Sequence, residues 1–343
     1  MLSYILRRCL TMAGTLTVIS MLIFMIINLP EGNYLTNQIR ELMATGEEGS
    51  VAKAKFLLTQ YSLDRPVVEQ YLIWVGLWPG PEGFSGLLQG DFGYSFELGR
   101  QVSGIVSEAM WFTIGLNLVV VLFVYMTALP LGALAAVRAN TWIDYLAALI
   151  GYLGLATPNF LLALVLMYYG NKAVGLPIGG GMANEFLDQP MSFAKLGSIM
   201  LHMIAPVVVI GTAGMAGMMR RLRANLLDEL GKPYVTTAAA KGVPPARAVI
   251  KYPLRMALNP FIADIGNLLP QLISGSVLVS VVMSLPTIGP ILLSALRSQD
   301  VFLSGFILLF VSALTLVGML ISDLLLAVVD PRIRLSGRSG TGR

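Results

Sequence analysis

The sequence predicts an all-α integral membrane protein with six transmembrane helices and both termini in the cytoplasm. Three observations carry that expectation. Of 343 residues, 56% are hydrophobic and 12% are charged, against about 25% charged in a soluble domain. One aqueous core cannot hide that much apolar surface, so a bilayer is the expected solvent. Six apolar runs then reach the roughly 20 residues that a spanning helix needs: 9–29, 110–137, 143–170, 199–219, 261–283 and 301–328. Finally, Lys and Arg concentrate in the segments that lie inside when the N-terminus is cytoplasmic, which is the bias that sets orientation.

In chain order, residues 1–29 read as a cytoplasmic N-terminus and first span. Arg7 and Arg8 precede the run, as in a signal peptide. The run is too long for one, and no small-residue cleavage pattern follows at "NLPEGNY", so it reads as an uncleaved anchor. Cys9 is the single cysteine. It makes neither a disulfide framework nor a metal site, and is expected as a small buried hydrophobe. Residues 30–109 form a long periplasmic loop with more acidic than basic side chains. Within it, "VAKAKFLLTQYSLDRPVVEQYLIWVGLW" has apolar residues near helical spacing, so one or two amphipathic helices are expected along the outer surface. "WPGPEG" is a turn cluster. Residues 110–328 hold the five remaining spans, with a cytoplasmic loop at 220–260, and 329–343 are a cytoplasmic tail. The three longest runs are expected to tilt or kink. Pro130, Pro158, Pro206 and Pro270 lie inside spans, where neighbouring helices re-satisfy the freed backbone groups.

Much chemistry is excluded. "DELGKPY" has the Gly-Lys of a phosphate-binding loop but not its leading Gly or its Ser/Thr, so the chain is not itself a P-loop ATPase. His202 is the only histidine, which rules out the H-E-x-x-H zinc motif. It reads as a hydrogen-bonded interfacial residue. A net charge of +4 is too small and too dispersed for a nucleic-acid binder. Asp144, Asp264 and Asp323 are the ionisable groups within the runs. Asp144 is at the inner mouth of the third span and Asp264 one turn into the fifth, where an acid suits the helix N-terminal dipole. Asp323 lies near the inner end of the last span, within reach of a basic partner. None lies at mid-membrane, where an ion-driven carrier needs its coupling site.

The stretch "YVTTAAAKGVPPARAVIKYPLRMALNP" remains, at 234–260. "TTAAAK" favours a short helix, and Gly242 ends it. "VPPARAVIKYPLRMAL" restarts one with proline in its first turn, and Pro253 limits or bends it. Ala238, Ala239 and Ala240 let another surface approach closely. Lys241, Arg247, Lys251 and Arg255 give a polar rim. From local physics this is either a plug for a socket on another protein or an ordinary positive cytoplasmic loop.

This loop resembles the cytoplasmic EAA loop of ABC-importer permeases, and more closely the dipeptide/oligopeptide/nickel branch, as its first, B-type permease subunit. The match runs through Tyr234, Val235, Thr237, Ala238, Ala240, Lys241, Gly242, Leu254, Arg255, Ala257 and Pro260. Elsewhere "QGDFGYSF", "ATPNFLLAL", "MRRLRANLLDEL", "SLPTIGPILLSAL" and "DLLLAVVDPRIR" resemble family segments in the same order. The sequence departs from the pattern at Pro233, Thr236, Ala239, Tyr252 and Ser280, which suggests a divergent subfamily.

The resemblance implies a type I ABC-importer permease fold in a bacterial inner membrane, forming half of a translocation path for peptides or similar small solutes. It implies that Tyr234, Thr237, Ala238, Ala239, Ala240, Lys241, Gly242 and Arg255 couple the chain to an ATPase. Asn267, Gln271, Ser274 and Ser276 are the candidates for lining the path. The implied partners are a second homologous permease, two ABC ATPase subunits or domains carrying ATP and Mg, and a periplasmic substrate-binding protein. No cofactor or metal is expected in this chain, no nucleic acid among its partners, and no catalysis of its own. Oligosaccharides, opines and nickel are alternative cargoes within the branch. An ion-gradient-driven secondary transporter is the alternative class.

Overall fold

The computed structural model describes residues 2–29, 32–170, 172, 175 and 177–329. Within its helices, the side chains of residues 2–4, 263, 265–274 and 326–329 lie outside the described residues. The chain is helical almost throughout. In order come α1 (Leu2–Ile27), α2 (Tyr34–Ala44), α3 (Glu48–Gln60) and α4 (Val67–Val75). A small antiparallel pair, β1 (Tyr94–Ser95) and β2 (Arg100–Gln101), leads into α5 (Val102–Val137). Next are α6 (Trp142–Ala156), α7 (Asn159–Val165) with a closing wide turn at Leu166–Gly170, and α8 (Phe193–Leu230). Then follow α9 (Pro233–Ala240), α10 (Pro245–Lys251), α11 (Pro253–Val282), α12 (Ile288–Arg297) and α13 (Val301–Val329).

Four described helices are long and apolar enough to cross a membrane: Ile5–Ile27, Val102–Val137, Phe193–Leu230 and Val301–Leu325. The third expected span, one of the three expected to tilt or kink, is broken into two helices, Trp142–Ala156 and Asn159–Gly170, bent by 97°. The cause is Pro158. Its ring disfavours helical backbone at the preceding residue, and Thr157 is extended, at φ −88 and ψ 117. Pro130 and Pro206 are instead carried inside α5 and α8. The fifth expected span falls in α11, where the backbone of 265–274 is helical.

The chain divides into two compact units. One comprises 112–289 and the chain from Leu314. Its core joins Leu116, Val120, Val124 and Ala128 of α5 to Met218, Met219, Leu222 and Leu226 of α8 and to Phe261 of α11, all essentially inaccessible. Small residues permit that contact. A Cβ at Gly132 of α5 would stand 2.8 Å from the Met219 carbonyl oxygen, and one at Gly154 of α6 would stand 3.0 Å from Thr212 Cγ2 of α8. Close backbone approach through small residues is how membrane helices associate without a hydrophobic driving force. His202 is buried, with its Nδ1 2.8 Å from the Ser198 carbonyl oxygen, so it has the hydrogen bond expected of it.

The other unit comprises residues 2–111 and 290–313. The amphipathic window holds α3 and α4, and α2 precedes it as a third helix that hydropathy did not indicate. Its signal is a capping box: the Thr36 amide donates to Asn33 Oδ1 at 2.8 Å, and the Asn33 amide donates to Thr36 Oγ1 at 2.6 Å. Leu35, Ile39 and Ala54 pack α2 on α3. "WPGPEG" closes as a turn, with Gly80 and Gly83 exchanging backbone hydrogen bonds. Cys9 is exposed, which corrects the expectation of burial. α1 buries Ser20, Ile23 and Phe24, while Leu6, Leu10, Val18 and Met25 point outward.

Candidate functional site

The site begins with α8, which does not stop where its apolar run stops. It continues through "RRLRANLLDEL" to Leu230. At 1.5 Å per residue its 38 residues reach about 57 Å, nearly twice the bilayer's hydrocarbon thickness. The charged last part of this helix forms a stalk that carries α9 and α10 at its end.

Three arginines fix the stalk. The Arg223 guanidinium grips Asp144 with both arms, Nε donating to Oδ1 at 2.5 Å and Nη2 to Oδ2 at 2.7 Å. The Asp144 carboxylate is 4% exposed and also accepts from the Asn140 amide at 2.9 Å, just before α6. Asp144 is thus the helix N-terminal acid that its position implied, and a clamp between α6 and α8 as well. Arg221 pairs with Asp264 of α11 at 2.6 Å and lies over the Phe261 ring. Arg220 lies 5.0 Å from the centre of the Tyr152 ring of α6. The three side chains, from about one turn of one helix, are spent on α6 and α11.

The stalk ends in a second polar knot. Lys232 and Tyr234 both donate to the Glu229 carboxylate, Lys232 at 2.5 Å. The Tyr234 phenol is pushed up to about 12, first by burial and then by that carboxylate. Pro233 opens α9 at a position that needs no amide donor. Thr237 Oγ1 donates back to the Pro233 carbonyl at 3.0 Å. The helix then closes on Gly242, whose φ is +72. The Gly242 amide donates to the Ala239 carbonyl at 2.9 Å, and the Val243 amide to the Ala238 carbonyl at 3.2 Å. That pair of bonds is a Schellman cap, which requires the left-handed residue that glycine supplies. α10 follows after Pro244, and its last carbonyls give way at Pro253, the first residue of α11.

The sequence-predicted residues divide cleanly. Ala238 is buried and Tyr234 is half-buried, so they hold α9 in place. Thr237, Ala239, Ala240, Lys241, Gly242 and Arg255 are exposed. Beside them Ile250 and Met256 are also exposed, at 62% and 53%. The outcome is a short, smooth, alanine-faced helix with two apolar side chains nearby and basic side chains around it. Among the path candidates, Ser276 is buried. The side chains of Asn267, Gln271 and Ser274 lie outside the described residues. Sequence reasoning missed the Arg223–Asp144 clamp, whose partners are 79 positions apart. The available signal was one acid at a span's mouth and an arginine cluster with no assigned partner.

Four long apolar helices, with a broken pair as a fifth, define the class: a multi-pass helical membrane protein. The model of the family described as "Binding-protein-dependent transport system inner membrane component" matches residues 128–335. The chain belongs to that family, and it is an ABC-importer permease subunit of the inner membrane rather than an enzyme. It is similar to the oligopeptide transport system permease protein AppB of Bacillus subtilis, with 33% identity over 335 residues, covering 97% of this chain and 99% of the relative. Against the dipeptide transport system permease protein DppB of Escherichia coli K12 the identity is 30% over 352 aligned positions, 97% of this chain and 99% of the relative. Against the DppB of Haemophilus influenzae it is 33% over 261 residues, 72% of this chain and 78% of the relative.

Proposed function

We propose that the chain forms half of a peptide-translocating path and is driven through α9 by a separate ATP-hydrolysing subunit. The observation that carries the coupling role is the exposed alanine face at Ala239 and Ala240, closed by Gly242 and held on a stalk clamped by Arg223. A helix with no reactive group, rigidly presented and smooth enough for close seating, is suited to transmit motion rather than to do chemistry. In this reading Lys241 and Arg255 make polar contacts at the rim of the ATPase groove. Both termini and the loop 220–260 lie in the cytoplasm, and residues 30–109 lie outside.

The proposed assembly is a heterodimer with a second permease, two ATPase subunits or domains that hold ATP and Mg, and an external binding protein. Peptide is the cargo favoured by the similarity to oligopeptide and dipeptide permeases. Span-five polar residues, Ser276 and with it Asn267, Gln271 and Ser274, line the path. The test is peptide uptake by the whole complex in proteoliposomes. Gly242→Trp is expected to abolish ATP-driven uptake while the chain still inserts and pairs. Normal uptake by that variant overturns the coupling role. ATP-driven uptake of other solutes, with peptides refused, overturns the cargo.

A further inference from the structure

The unit formed by residues 2–111 and 290–313 contains a cavity of about 300 Å³ that the transport reading does not use. That is the lower end of the range for small-molecule sites. Its wall is strongly aromatic, with Tyr61, Trp74, Tyr94, Phe96 and Phe302 among its residues. Tyr61 is central to that wall: its ring meets Phe96 edge-on at 4.9 Å and Phe302 at 5.5 Å.

The charge in the wall has one sign. Glu82, Asp91 and Asp300 line it, and among the described residues no Lys or Arg does. Asp300 is buried and bonded at both oxygens: Ser95 Oγ donates to one at 2.7 Å and the Leu303 amide to the other at 3.1 Å. Glu82 and Asp91 are different. Both are exposed at the rim, and each has a bond to one oxygen, from Gln60 Nε2 at 2.6 Å and from the Gly93 amide at 3.0 Å. Each keeps a second oxygen. Two further lining residues carry buried polar atoms without a partner among the described residues, Ser62 Oγ and Trp74 Nε1. The two residues are 1% and 8% exposed. The Tyr61 phenol is pushed up by burial and then by Tyr94, Glu82 and Asp91, so it stays neutral beside them.

We propose that this cavity binds a small organic cation by its protonated amine, with the ammonium between Glu82 and Asp91 and its carbon chain on the aromatic wall. Carboxylates give the charge partner, and ring faces attract the same charge through their quadrupoles. The proposal stands apart from the cargo reading, because it concerns the ammonium group and not the solute that carries it.

The test is calorimetric titration of the full-length chain in detergent with phenethylammonium, and with 2-phenylethanol as its neutral counterpart. The expected result is one saturable site for the ammonium, at least about tenfold tighter than the alcohol (about 1.4 kcal/mol). The double variant Glu82→Gln, Asp91→Asn keeps the acceptor atoms and packing, and is expected to lose that preference. Unchanged circular dichroism would show that the double variant is folded. A dipeptide with a free amino terminus, run against its N-acetyl form, identifies the source: preference for the free form makes a peptide terminus one natural ligand, and refusal of both restricts the site to simple amines. Equal binding of ammonium and alcohol, ammonium binding that survives the double variant, or no saturable binding of the ammonium overturns the proposal.

Discussion

Gly242 has open space around it and a φ of +72. Substitution there acts through backbone strain and through what must seat against α9, not through crowding within the chain. Left-handed backbone costs an ordinary L-residue about 1–2 kcal/mol. Gly242→Ala is therefore expected to lower the thermal unfolding temperature of the purified chain, and Gly242→Asn to lower it less, because asparagine tolerates that region. Arg223 gives a larger effect. Arg223→Met leaves a nearly inaccessible carboxylate unpaired, which costs about 3–5 kcal/mol when burial is complete. Asp144→Asn in the same chain is expected to restore part of the loss in a double-mutant cycle. An unchanged unfolding temperature in Arg223→Met would sink the clamp. Tyr234 supplies a pH test. Its phenol is raised to about 12, so the fold favours the protonated form. That contribution is complete below the ordinary value near 10 and fades as pH rises through about 12. The stability difference between the native chain and Tyr234→Phe is expected to be flat from about pH 6 to 9 and to shrink above about 10.

At the scale of elements, legibility followed the period of the pattern. Apolar runs announced α1, α5, α8 and α13, because a bilayer demands long uninterrupted stretches. Gly242 and Pro253 announced the boundaries of α9 and α10, because each residue type has a strong local backbone preference. The break at Pro158 could not be graded: a proline in a span can be carried, as at Pro130 and Pro206, or can turn the chain by 97°. Hydropathy does not record which outcome holds. α2 escaped because a capping box is a local polar signal within a segment read for apolar spacing. The stalk was hidden for a related reason, since the charged residues of "RRLRANLLDEL" end an apolar run without ending a helix. Packing at this scale is testable at Gly132. Gly132→Val sets a branched side chain against the Met219 carbonyl of α8 and is expected to cost about 1–3 kcal/mol. Full stability in detergent would contradict the close α5–α8 contact.

At the scale of the whole molecule, the two units differ in what their exposed surface offers. Residues 112–289 present a chemically inert helix on a rigid arm, and 2–111 with 290–313 enclose an acidic, aromatic cavity. The candidate site was readable residue by residue, since Tyr234 to Gly242 carries its own helix, stop and small face. The support beneath it was not, because Arg223 and Asp144 meet only once α6 and α8 have packed. Docking to an ATPase is the central claim, and the most direct measurement is quantitative mass spectrometry of the proteins that co-purify with the C-terminally tagged chain from its native membrane. The native chain is expected to bring a second six-span permease and a P-loop ATPase. Gly242→Trp is expected to keep the permease and lose the ATPase. Equal recovery of the ATPase with that variant, or a native chain that emerges alone, would contradict the account.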